Sequence, residues 1–301
     1  MSGPGAPTLD QLQVFLSVVE TGSFAAAARR QNRAVSAISY AIANLEAQLG
    51  LPLFDRNTTR KPQLTAAGRA VLAEARQVAR GVDDLRAKVK GLLQGLEAEV
   101  SLVVDVMFPT ARLVDALQAF QAAFPTVTLR LHVEALGAVV QMLRDGIADV
   151  GISGPLPVEG DDLAQIAVGQ VQLIPVAAPF HPLARGPGQA PGAARGHVQL
   201  VLTDRSRLTE GRDFAVLSLN TWRLADLGAK HALLLAGIGW GNMPAYMVAD
   251  DIAAGRLVAL NLIDYVDAPY PFSALHRADS PPGPASRWLI DRFLEQAAPT
   301  R

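Results

Sequence analysis

Ser39-Tyr40-Ala41-Ile42-Ala43-Asn44-Leu45-Glu46 is the stretch that decides the fold, with Leu49-Gly50, Leu53-Phe54-Asp55-Arg56 and Leu64-Thr65-Ala66-Ala67-Gly68 behind it. Val35, Ile38, Ile42, Leu45 and Leu49 recur at steps of three and four. That spacing predicts a helix with one apolar stripe, stopped by Gly50. Ser36, Tyr40, Ala43, Asn44 and Ala47 fall on its other side. A solvated helix would normally carry Lys and Glu there. A short, nearly uncharged polar face instead suits close approach to a DNA major groove, where Ser, Asn and Tyr can bond base edges or phosphates. The plainer alternative is the outer face of an ordinary small bundle.

Upstream, Thr8 stands before Leu9-Asp10-Gln11 as in a capping box, and Leu9, Leu12, Phe15, Leu16 and Val19 repeat at helical spacing. Thr21-Gly22 ends that helix, and Ser23 can cap a second, alanine-rich one from Phe24 to Gln31. Downstream, residues 51–64 carry Arg56, Arg60 and Lys61 against one acid, Asp55, with Asn57-Thr58-Thr59 as a turn. A basic hairpin beside such a helix is expected to straddle phosphates or enter the minor groove. Three helices and a hairpin make a winged helix-turn-helix.

Residues 9–68 resemble the N-terminal domains of the LysR-type transcriptional regulators. Those run S-F-x-x-A-A, then S-x-x-I-x-x-L-E-x-x-L-G-x-x-L-F-x-R, then L-T-x-A-G, which match here at Ser23-Phe24, Ser39 to Arg56 and Leu64 to Gly68. This chain departs from the family at Ala34-Val35, where Ser-Gln is usual, and at Gln31, where an apolar residue is usual. The first change removes a base contact. The second is expected to weaken packing between the second and third helices. The DNA-binding candidates are Ser23, Arg33, Ser36, Ser39, Tyr40, Asn44, Arg56, Arg60 and Lys61.

The charge pattern agrees. Residues 1–97 hold 12 Lys+Arg against 8 Asp+Glu, and the remainder 15 against 20, so a net of −1 conceals a basic front and an acidic rear. There are no cysteines, which excludes a disulfide framework and a thiol sensor and fits a reducing cytoplasm. Met1 to Pro7 reads as a short flexible lead rather than a signal peptide, and no apolar stretch is long enough to span a bilayer.

From Thr65 to about Gln94 the chain predicts one long helix. Val71, Ala75, Val78, Val82, Leu85, Val89 and Leu92 form a heptad seam that one small domain could not cover, which calls for a partner helix from a second chain. The alternative is packing on this chain's own C-terminal part. Gly81 is a candidate bend. Residues 98–301 then alternate strands and helices, implying an α/β fold with a mostly parallel sheet covered on both sides. Phe180-His181-Pro182-Leu183-Ala184 and Ala253-Ala254-Gly255-Arg256-Leu257-Val258 are similar to stretches of the family's regulatory domain. The resemblance implies two Rossmann-like lobes of the periplasmic-binding-protein type. The expected domains are 1–68 (DNA-binding), 69–97 (linker) and 98–301 (regulatory). Within the last, lobe I is 98–168 with 270–301 and lobe II is 169–269.

In open α/β sheets, ligands gather beyond the carboxyl ends of strands. The candidates there are Met107, Phe108, Pro109, Thr110, Ser153, Leu202, Thr203, Gly241 and Asn242, and Trp222 is added as a residue that could stack on a ligand. Pro109 and Thr110 open a helix whose free N–H groups suit an anion. By resemblance these positions line an effector pocket, narrowed here by Met107 and Phe108. Simple filling between the lobes, or core packing for Trp222, is the alternative. Gly237, Gly239 and Gly241 read as a tight turn, not a dinucleotide fingerprint. The five histidines lack metal-ligand spacing, and no catalytic motif is present, so neither metal nor cofactor nor enzyme activity is expected. The leading reading is a ligand-responsive transcription factor acting on double-stranded DNA. Its expected effector is a small, anionic molecule, its expected assembly a homodimer or, by resemblance, a homotetramer, and RNA polymerase is a candidate partner. The competing reading is a solute-binding protein whose helical front only drives oligomerisation.

Overall fold

The computed structural model describes residues 6–55, 62–93, 95–156, 160–185, 190–204, 206–209, 211–212 and 214–297. The chain divides into two units, Met1–Lys90 and Gly91–Arg301.

The first unit is built on α1 (Leu9–Thr21), α2 (Phe24–Gln31) and α3 (Val35–Leu49), then the two-residue strands β1 (Phe54–Asp55) and β2 (Gln63–Leu64), then α4 (Ala66–Leu93). The Thr8 capping box is formed in both directions, and Ser23 accepts from the Ala26 N–H at 3.0 Å. Val14, Phe15, Val18, Ile38, Ile42 and Leu45 meet in one core, with Phe54 edge-on to Phe15 and Phe24. The α3 stripe needs one correction. Val35 is 47% exposed, and Ala41 takes a buried place, because the stripe begins one turn inside the helix. Gln31 is half-buried and donates to the Gln13 carbonyl at 3.3 Å, so α2 meets α1 there through a polar contact.

α4 is a continuous 28-residue helix, about 42 Å at ~1.5 Å per residue, and runs through Gly81 unbroken. Its seam is divided. Val71 and Ala75 pack on the core of the first unit, whereas Val78, Leu85, Val89 and Leu92 are exposed.

The second unit contains β3 (Glu99–Asp105), α5 (Thr110–Ala123), β4 (Thr128–Glu134), α6 (Gly137–Arg144), β5 (Val150–Ser153) and β6 (Leu163–Ala177). Then come α7 (Pro182–Arg185), β7 (Gln199–Leu202), β8 (Thr221–Leu224), α8 (Leu227–Leu235), β9 (Trp240–Pro244), α9 (Ala245–Ala253), β10 (Val258–Ala259), β11 (Pro269–Arg277) and α10 (Pro284–Glu295). The strands order as β4-β3-β5-β11-β6-β9-β7-β8, with β10 also on β6. β6 is shared: its residues up to Gln172 pair with β11, and Leu173 to Ala177 pair with β9. Two lobes result. The first carries β3, β4, β5 and β11, the second β7, β8, β9 and β10. The chain passes between them at Gln172-Leu173 and returns at Pro269.

The sheet is less parallel than the βαβ rhythm implies. β3 pairs in parallel with β4 and β5, and β7 with β8 and β9, but every ladder made by β6 and β11 is antiparallel. A chain that leaves a lobe on one strand and returns beside it must run those two strands in opposite directions. In the first lobe Phe108 packs edge-on against Phe272 and Phe293, which brings α10 onto this lobe beside α5.

Candidate functional sites

On α3 the buried positions Ile38, Ala41, Ile42 and Leu45 leave Ser36, Ser39, Tyr40 and Ala43 exposed and Asn44 half-buried. Tyr40 is 70% exposed although it is aromatic, so nothing in its own unit covers it. Ala34, the N-cap, supplies no side-chain cap, which leaves the first turn of α3 open. Glu46 joins this helix to the hairpin: its Oε1 accepts from the N–H groups of Leu53 at 2.7 Å and Phe54 at 3.2 Å. On the far side of the hairpin Thr65 Oγ1 caps α4 by accepting from the Gly68 N–H at 2.9 Å. Position 68 has to be glycine, since a Cβ there would lie 2.1 Å from the Leu53 carbonyl oxygen. Arg33 forms a two-pronged pair with Asp10 at 2.8 and 3.0 Å. Arg56, Arg60 and Lys61 lie outside the described residues.

The second candidate site lies between the lobes. A cavity of about 200 Å³ has Met107, Leu136 and Tyr270 on the first-lobe side and Leu200, Leu202, Lys230 and Asn242 on the second-lobe side. A neighbouring cavity of about 390 Å³ shares Leu136 and Leu202 and adds Thr203, Asp204 and Arg223. Asp105, at the end of β3, organises the first-lobe wall. Its carboxylate accepts from the N–H groups of Met107 at 2.8 Å and Leu136 at 3.1 Å, and from the Tyr270 hydroxyl at 3.2 Å. Burial pushes its pKa from 3.8 up to about 6, against those hydrogen bonds, which pull it down. Leu136 is held at φ +45°, ψ −115°, a strained backbone state for a non-glycine residue.

Among the described residues, hydrogen bonds at Gly137 and Tyr246 cross between the lobes. Asp204 Oδ2 accepts from the Gly137 N–H at 2.6 Å, which puts a second-lobe carboxylate on the N-terminus of α6. Tyr246 on α9 donates to the Phe108 carbonyl at 3.2 Å. The second-lobe wall holds Lys230, whose Nζ donates to the Asn242 backbone carbonyl at 2.7 Å. Burial pushes this ammonium down from 10.5 to about 7.

The effector candidates divide accordingly. Met107, Leu202 and Asn242 line the smaller cavity, and Thr203 lines its neighbour. Phe108 instead fills the first-lobe core. Pro109 and Thr110 open α5 but line neither cavity, and the Thr110 side is exposed. Ser153 is buried within β5, donating to the Gly154 carbonyl, and Trp222 is half-exposed on the edge strand β8. Gly241 serves by being small: a Cβ there would sit 2.8 Å from the Leu200 carbonyl oxygen and 3.0 Å from Lys230 Cε. Sequence reasoning missed Asp105, Leu136, Lys230 and Tyr270. One signal for Lys230 was available, as it is the only Lys, Arg, Asp or Glu within α8.

Comparison with known proteins bears on both units. Residues 9–69 match the family described as bacterial regulatory helix-turn-helix protein, lysR family, and residues 93–298 match the LysR substrate binding domain. The HTH-type transcriptional regulator AceR of Acinetobacter baumannii is 28% identical over 94% of this chain and 95% of its own. The HTH-type transcriptional regulator PunR of Escherichia coli is 30% identical over 93% of this chain and 90% of its own. In fold, the chain is similar to a mutant of OxyR from Corynebacterium glutamicum (TM-score 0.52, 23% identity, 98% of this chain and 96% of that one). It is also similar to DarR of Vibrio fischeri, solved in complex with DNA (TM-score 0.51, 18% identity, 97% and 100%). A helix-turn-helix with an open reading face, and two lobes around a cavity, thus sit under both family profiles, and the chain belongs to the LysR family of DNA-binding transcriptional regulators with an effector-binding domain.

Proposed function

We propose that this regulator reads an operator with Ser36, Ser39, Tyr40 and Asn44 of α3, supported on phosphates by Ser23, Arg33, Arg56, Arg60 and Lys61. The exposed, nearly uncharged face of α3 opposite the buried Ile38, Ala41, Ile42 and Leu45 carries this reading. Val35 belongs to the same open first turn. An exposed valine there offers a base edge only apolar contact, which favours a thymine methyl. Two chains pair through the exposed half of α4, and a tetramer follows from a second contact between regulatory domains. A small anionic molecule between the lobes shifts the spacing of the paired reading helices. The protein is a cytoplasmic regulator without enzymatic activity, and RNA polymerase is its downstream partner.

The test is a gel shift with the DNA upstream of its own gene, repeated across salt. Lys61→Ala should weaken all sequences alike and flatten the salt slope by about one unit. An unchanged affinity and slope would remove the hairpin from the interface.

A further inference from the structure

The small interlobe cavity is largely apolar, walled by Leu136, Leu173, Leu200 and Leu202 with the faces of Met107 and Tyr270. Of the polar side chains on that wall, Gln199, Tyr265 and Tyr270 have hydrogen-bond partners, and two others are left short of them. The first is Lys230, 3% exposed, whose ammonium bonds one backbone carbonyl and has no carboxylate within ion-pair distance among the described residues. An ammonium has three donors, and burying it unpaired is unfavourable unless something anionic arrives. The second is the Asn242 side-chain oxygen, buried and without a hydrogen-bond partner. It needs a donor. Both residues line this cavity, and Lys230 Nζ holds the backbone carbonyl of that same Asn242. The missing side chain at Gly241 gives the Lys230 stem its place beside β9. The carboxylate of Asp105 is bonded to first-lobe donors and forms no ion pair with Lys230.

We propose that this cavity selects a small, apolar-bodied hydroxycarboxylate, with Lys230 receiving the carboxylate and the Asn242 side-chain oxygen receiving the hydroxyl proton. The proposal rests on the reading of the interlobe space as the effector site and adds the ligand class and the residues that choose it. A volume of about 200 Å³ lies below the roughly 300–1,000 Å³ typical of drug-sized ligands, which limits the guest to a compact molecule. A second cation is disfavoured beside Lys230. A neutral molecule of the same shape leaves the ammonium unpaired.

The experiment is calorimetry on the full-length protein with mandelate and 2-hydroxy-3-methylbutanoate as probes. Their deoxy acids and their neutral amides serve as controls. The hydroxy acids should bind at least about tenfold more tightly than the amides, and Lys230→Met should lose about ten- to a hundredfold for acids while leaving the amides within about twofold. Asn242→Leu should erase the preference for hydroxy over deoxy acid. Thermal unfolding and operator binding without ligand show that each variant is folded. Acids that bind wild type and Lys230→Met equally, amides that bind as well as acids, or no binding by either hydroxy acid would each overturn the proposal. Leu202→Trp, which fills the cavity, separates it from the reading beneath. If acids still bind that variant, the interlobe site itself fails. If they are lost there but not in Lys230→Met, only the assignment of Lys230 fails.

Discussion

Tyr40 stands 70% exposed on a helix whose opposite face is closed. It contributes little to folding, so Tyr40→Ala should leave stability within about 0.5 kcal/mol. Its effect should appear as a changed ranking among operator variants in competition gel shifts, and an unchanged ranking would take it off the reading face. Lys230 is the opposite case, an almost wholly buried side chain on the cavity wall. The unfolded chain keeps that proton up to about 10.5, whereas the folded chain releases it near 7. Between those values the unfolded state binds more protons, so folding stability rises with pH. Tyr265 and Tyr270 face the same cavity with raised pKa values and stay neutral across the lower part of that window. Thermal unfolding of wild type at pH 7 and pH 9 should therefore show a rise that Lys230→Met lacks. Equal rises in both proteins would mean that the lysine is hydrated.

At the scale of elements, the hairpin depends on α3 through one carboxylate. Glu46→Ala leaves the Leu53 and Phe54 N–H groups without their acceptor. It should cost about 1–3 kcal/mol and loosen the hairpin, read as lower unfolding temperature and faster amide exchange at residues 53–55. α4 makes a different test possible. Leu85 is 61% exposed within its own chain, so Leu85→Asp should not unfold a protomer, yet it would place an unpaired charge in a dimer seam. Sedimentation should then show monomers, and an unchanged oligomer would refute pairing through this helix. The elements also differ in how openly the sequence declares them. α1 and α4 carry side-chain caps, α3 a glycine stop, and all three periodic stripes, so they were readable with their ends. The first half of β6, from Leu163 to Gln170, and all of β11 were not. β11 holds Pro269 and Pro271, which argue against a strand taken alone, and it is tolerated because the ladder shifts register between Pro271 and Ser273.

For the molecule as a whole, the second unit is two lobes joined by β6 and β11, with hydrogen bonds bridging them. Asp204 on the α6 N-terminus is one. Asp204→Ala removes the acceptor of the Gly137 N–H and the anchor of Ser206 and Thr209. Amide exchange at residues 136–138 should accelerate, and the effector response should change while operator affinity without effector does not. Protection that is unaffected would mean that Leu136 and Gly137 are held by the first lobe alone, through Asp105.

Composition and periodicity alone determined the helical front, the division into a basic and an acidic part, the long helix and the strand-helix rhythm behind it. Each of these is written in residues close together in the chain, where helical and strand spacing act directly. The strand-end residues Met107, Leu202 and Thr203 could be named for the same reason, because a strand end is a local feature, whereas Asn242 lies in the middle of β9. Only the tertiary structure decided which of the named residues share a wall. Phe108 turns into the first-lobe core, Thr110 is exposed and lines neither cavity, and Trp222 sits on an edge strand. Asp105 and Tyr270 meet across 165 residues of chain, and Lys230 lies against Asn242 because α8 packs beside β9. Such contacts come from how distant segments cover one another's apolar faces, and no local spacing records that.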